Sequence, residues 1–110
     1  MKSEIFEAKE EVYDKWSGNY TVKVLSGAES LAIEEVIFKR LQKKGITQPK
    51  DYPIMLERKL NMVKCITRNG KSIAMKDIES MSKRLYMVLF GIYQRLNIPS
   101  KEEEAFLSKI

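Results

Sequence analysis

The sequence predicts a mostly α fold, a small single-domain helical bundle over residues 1–110 with at most one short strand or hairpin. Two observations carry this. Apolar residues recur at helical spacing through most of the chain, and Ser-x-x-Glu capping signatures stand ahead of two of the periodic runs. A length of 110 residues suits one core and is short for two.

Residues 3–16 place Ile5, Val12 and Trp16 near one helical face with Phe6 and Tyr13 beside it, and acids fill the rest. An amphipathic helix is expected there. Gly18 and Asn19 break it, and "YTVKVL" at 20–25 alternates as a short strand. Ser26 and Glu29 form a capping box that opens a helix through Leu31, Ile33, Ile37 and Leu41. Lys43, Lys44 and Gly45 supply its cationic last turn and its left-handed stop, Ile46 folds back on that turn, and Pro49 forbids continuation.

A third helix is expected from Asp51 or Tyr52, with Pro53 in its first turn and Leu56, Leu60 and Val63 on its buried face. The stretch "KCITRNGKSI" reads two ways. Cys65–Arg68 and Lys71–Ala74 can be strands around a type I′ Asn-Gly turn. Alternatively the spacing runs on to Thr67 and Asn69-Gly70 caps the helix. Unbroken periodicity favours the helix end. Asp77 is expected to cap a short turn through Ile78 and Met81, and Ser82 to cap a central helix built on Leu85, Leu89, Ile92 and Leu96. Asn97 and Pro99 end that helix. Ser100 and Glu103 open a last one carrying Phe106 and Leu107.

The composition narrows function. No histidine is present, which removes the commonest general base and the mixed Cys/His zinc sites, and the single Cys65 reads as a small buried hydrophobe. The expectation is no enzyme, no cofactor and no metal. The Gly70-Lys71-Ser72 triplet lacks the glycine five positions earlier that a phosphate loop requires, because Cys65 stands there. Glu102, Glu103 and Glu104 suit the first turn of a helix. Of the methionines, Met55, Met62, Met75, Met81 and Met87 read as core filler before adaptable binding surface. No apolar run approaches the roughly 20 residues of a membrane span, and the acidic N-terminus does not read as a signal peptide, so a cytoplasmic location is expected.

The net charge of +5 is concentrated in the middle, where eleven Lys or Arg stand against two acids between Lys39 and Lys76. Lys39, Arg40, Lys43, Lys44, Lys64, Arg68 and Lys71 would form one phosphate-binding patch if the ends of the second and third helices lay together, the alternative being a solvated basic face. Tyr13, Trp16 and Phe106 are candidates for an exposed apolar surface that binds another protein or a second copy in a homodimer, against simple closure over the core.

The order of "YTVKVL", a helix opened by "SGAE", a middle helix followed by "NGK", and "DIESMSKRLYMVLFGIYQRLN" resembles small tail-assembly proteins of tailed viruses, of the tail assembly chaperone type, over roughly residues 19–98. The resemblance implies a non-enzymatic helical module that binds virion or tail components in the host cytoplasm during assembly. A small basic nucleic-acid-binding protein is the alternative.

Overall fold

A computed structural model describes residues 2–46 and 52–109. The helix stop expected at Pro49 and the alternative helix start at Asp51 lie outside these residues. Among them the helices dominate, but four strands form an antiparallel sheet in the order β1-β2-β3-β4, more strand than one hairpin.

The expected helix over 3–16 is a correction. Ser3–Ala8 is strand β1, followed by a four-residue helix α1 (Glu10–Tyr13) and a 3₁₀ turn at Asp14–Trp16. Strand β2 (Gly18–Lys23) confirms the "YTVKVL" strand, starting two residues earlier, and pairs with β1 from Ser3↔Lys23 to Ala8↔Gly18. A strand's outward N–H and C=O groups need partners. Residues 3–8 supply them, turning Phe6 and Ala8 to the core side and Ile5 to the outer side, where it is 67% exposed.

Helix α2 (Gly27–Lys43) opens as expected, with the Glu29 N–H donating to Ser26 Oγ at 3.1 Å and the Ser26 N–H donating to Glu29 Oε1 at 3.0 Å. Gly45 stops it at φ +69°, and the Ile46 N–H returns to the Leu41 carbonyl. Helix α3 (Ile54–Cys65) begins just after Pro53.

The second correction concerns the stretch that follows. Helix α3 stops at Cys65, and β3 (Ile66–Arg68) and β4 (Lys71–Ser72) form a hairpin. Asn69 and Gly70 sit at φ +51° and +81°, the left-handed pair that a type I′ turn requires. The sheet decides the outcome, since β3 satisfies the free side of β2 through Val22↔Ile66, Thr21↔Thr67 and Tyr20↔Arg68.

Helix α4 (Met75–Ser80) begins before Asp77, which sits in its first turn and accepts the Ala74 N–H at 2.8 Å. Helix α5 (Lys83–Asn97) is capped by Ser82 and buries Leu85, Leu89, Ile92 and Tyr93. Helix α6 (Lys101–Leu107) is opened by the Ser100–Glu103 box and buries no residue.

Helices α3 and α5 cover one face of the sheet. Tyr20, Val22 and Ile66 meet Met62, Cys65, Leu85 and Leu89 in one cluster, while Tyr13 and Trp16 pack at its margin. Asn97 locks the far end: its Oδ1 accepts the Leu25 N–H at 2.7 Å and its Nδ2 donates to the Lys23 carbonyl at 3.2 Å. No helix among the described residues is long and apolar enough to cross a membrane.

Candidate functional site

The Asn-Gly turn and the segment preceding β2 build one concave site. Asn69 binds the start of β2 twice, its N–H donating to the Asn19 carbonyl at 2.8 Å and its Oδ1 accepting the Asn19 N–H at 2.9 Å. Arg68 ties down the residues before it: Nε and Nη2 donate to the Ser17 carbonyl at 3.1 and 2.6 Å, and Nη2 also donates to the Lys15 carbonyl at 2.6 Å. Its guanidinium lies 5.7 Å from the centre of the Trp16 ring and 5.8 Å from that of Tyr20. The Tyr20 hydroxyl donates to the Trp16 carbonyl at 2.7 Å. Burial raises the pKa of that hydroxyl, opposed by the Arg68 charge and reinforced by Asp77.

These ties leave a cavity of about 340 Å³ lined by Trp16, Tyr20, Arg68, Lys71, Asp77 and Met81, with Asn69, Ser72 and Ile73 completing the wall. Its cations come from the hairpin, its apolar surface from the core margin. Cys65 lies elsewhere in the core, its thiol pushed up to about 12 chiefly by burial, so the reactive thiolate is suppressed. Among the described residues no group of three or more His, Cys, Asp or Glu side chains is arranged to hold a metal ion.

The seven cations named from the sequence do not form one patch. Pairing of β2 with β3 brings the end of α3 beside the start of α2. Lys39, Arg40, Lys43 and Lys44 lie at the other end of α2, because a helix rises about 1.5 Å per residue and Lys43 is therefore about 25 Å from Ser26. Lys64, Arg68 and Lys71 remain as the group at the end of α3 and the hairpin. Arg68 is committed to the Lys15 and Ser17 carbonyls as well as to the cavity.

Tyr13, Trp16 and Phe106 are separated in the same way. Tyr13 is half-buried, edge-on to Phe6 at 5.7 Å and 5.8 Å from Arg84 at the start of α5. Phe106 follows the opposite end of α5 and is 67% exposed beside a groove formed with Pro99, Glu102, Glu103 and Leu107. Exposed apolar surface also appears where periodicity had placed core. Leu31, on the expected buried face of α2, is 62% exposed, and Phe38, seven residues on along the same side, is 56% exposed.

Comparison with protein-family models, with curated proteins and with solved structures gave no match. Function therefore rests on the geometry of this chain.

Proposed function

We propose that this chain is a non-enzymatic assembly module that binds other proteins, of the tail-assembly kind its sequence resembles. One observation carries the reading: α2, seventeen residues long, buries only Ile37 and leaves Leu31 and Phe38 exposed on one side, with Val36 exposed on another. Ile54 and Met55 at the start of α3, and Phe106 and Leu107 on α6, add to the uncovered apolar surface. Isolated exposed hydrophobes are ordinary, whereas several on one helix mark a surface meant for a partner. Glu34 and Glu35 stand one turn before Phe38 and Lys39 and Arg40 follow it, so the rim of this surface carries both signs and suits a partner with a mixed polar rim around an apolar centre.

The partner class is a virion or tail structural protein encoded near this chain. Co-expression with such neighbouring gene products should give a stable complex that survives gel filtration. Phe38→Glu should abolish it without lowering the unfolding midpoint, because Phe38 is exposed in the free chain. A chain that remains alone in every pairwise co-expression overturns the reading. So does a complex indifferent to both Phe38→Glu and Phe106→Glu.

A further inference from the structure

We propose that the cavity between the Asn69-Gly70 turn and Trp16 is a nucleotide site, binding a phosphate monoester that carries a flat ring. Its size is the first ground. At about 340 Å³ it falls within the range of small-ligand pockets, roughly 300–1,000 Å³.

Its chemistry is divided in the way such a ligand requires. Lys71 and Arg68 stand on the hairpin side, and the half-buried Trp16 offers the apolar wall, backed by the buried Tyr20, Ile73 and Met81. The phosphate belongs with the two cations, where charge-assisted hydrogen bonds form, and the ring lies along the wall. Asp77 is the acid facing the cavity, and one of its oxygens already accepts the Ala74 N–H. Its charge repels a phosphate from the α4 side and so fixes the ligand's direction.

Arg68 is preorganised for this role. Three hydrogen bonds to main-chain carbonyls orient the guanidinium through Nε and Nη2, and Nη1 takes part in none of them. A cation already held in place loses little side-chain freedom on binding. Lys71, at an exposed position just after the turn, reaches the same cavity without a structural bond of its own among the described residues. The site needs no protein partner.

Trp16 is the sole tryptophan, so its emission reports directly on the cavity wall. The full chain is titrated at low salt with AMP, inorganic phosphate, adenosine and a short single strand bearing a 5′-phosphate. AMP should change the emission saturably with a dissociation constant on the order of 1 mM or tighter. Inorganic phosphate should compete, and adenosine should bind more weakly than AMP. Amide shifts on AMP addition should centre on Gly70–Ile73.

Lys71→Glu should weaken AMP by about tenfold or more, the scale of a lost charge-assisted bond. This exposed side chain is the informative variant, since Arg68→Ala also releases the segment at Lys15–Ser17. Binding of the strand at least as tight as AMP, with a steeper salt dependence, assigns the ligand to the end of a nucleic acid; weaker binding of the strand assigns it to a free nucleotide. No saturable change with AMP at about 10 mM, ten times the expected constant, overturns the site. Equal affinity of AMP for Lys71→Glu and the native chain overturns it as well.

Discussion

Gly18 shows how much a single position decides. It opens β2 opposite Ala8 at φ +137°, and a Cβ built there would stand 3.0 Å from Asn69 Nδ2 and 3.3 Å from Arg68 Nε. A side chain is therefore opposed twice, by the backbone conformation and by the turn that closes the cavity. Gly18→Ala should cost about 1–3 kcal/mol, the usual range for a non-glycine residue held in such a conformation. Chemical denaturation measures it, and a loss below the error of extrapolation would show that the turn yields. The sequence marks Gly18 as a helix breaker, which is only its local meaning. Its contact with residues about fifty positions away is not legible, and neither is the convergence of Trp16 with Arg68 and Lys71. The residue types of the cavity were readable one by one; their meeting depends on the pairing of β2 with β3.

At the scale of elements, legibility followed local chemistry. Ser26, Ser82 and Ser100 each accept the N–H three residues on, and each helix they open starts where its cap predicts. Such signals survive because donor and acceptor are neighbours in sequence. Strand β1 and the β3–β4 hairpin escaped the same reading, unlike β2. In β1 the outward Ile5 beside the inward Phe6 erases the alternation, while Ile5, Val12 and Trp16 imitate a helical face. In the hairpin, helical spacing runs through to Thr67 and conceals a change of structure at Ile66. A lone "YTVKVL" strand was itself a sign that partners existed, since a buried strand cannot leave its polar groups unpaired. The capping chemistry has a pH consequence at Glu29. The Ser26 N–H, followed by the Lys23 ammonium at 3.0 Å, lowers its carboxyl from the ordinary 4.5 to about 2. The unfolded chain therefore takes up this proton first on acidification, and the stabilisation, complete above about 4.5, declines as the pH falls toward about 2. Urea midpoints followed from pH 6 to 2 should fall less steeply for Glu29→Gln than for the native chain, about 4 pH units that span the shift. Parallel curves would show that the cap does not couple to global folding.

The described residues span 46 × 36 × 22 Å along their principal axes, and that thin third dimension governs what they can hide. Packed layers stand about 10 Å apart, so 22 Å holds little beyond a sheet and the helices on one of its faces. Helices α3 and α5 fill that layer, and α2 packs against α3. The outer face of α2 and all of α6 consequently remain uncovered among the described residues. This geometry divides the aromatic residues into two groups with opposite expected behaviour. Trp16 packs against the core at the Tyr20 end, so its ring serves the chain's own stability, while the bond from the Tyr20 hydroxyl goes to its main-chain carbonyl and survives truncation. Trp16→Ala should lower stability by about 2 kcal/mol, less than the roughly 3–5 kcal/mol of a fully buried aromatic ring. Light scattering of that variant should give the native mass, because the half-buried ring is not placed as an intermolecular contact. Phe106→Ala should leave the unfolding midpoint unchanged, since α6 carries no buried side chain, and should weaken any self-association or partner binding made through the groove at Pro99. The division fails if Trp16→Ala alters mass without altering stability, or if Phe106→Ala destabilises the monomer.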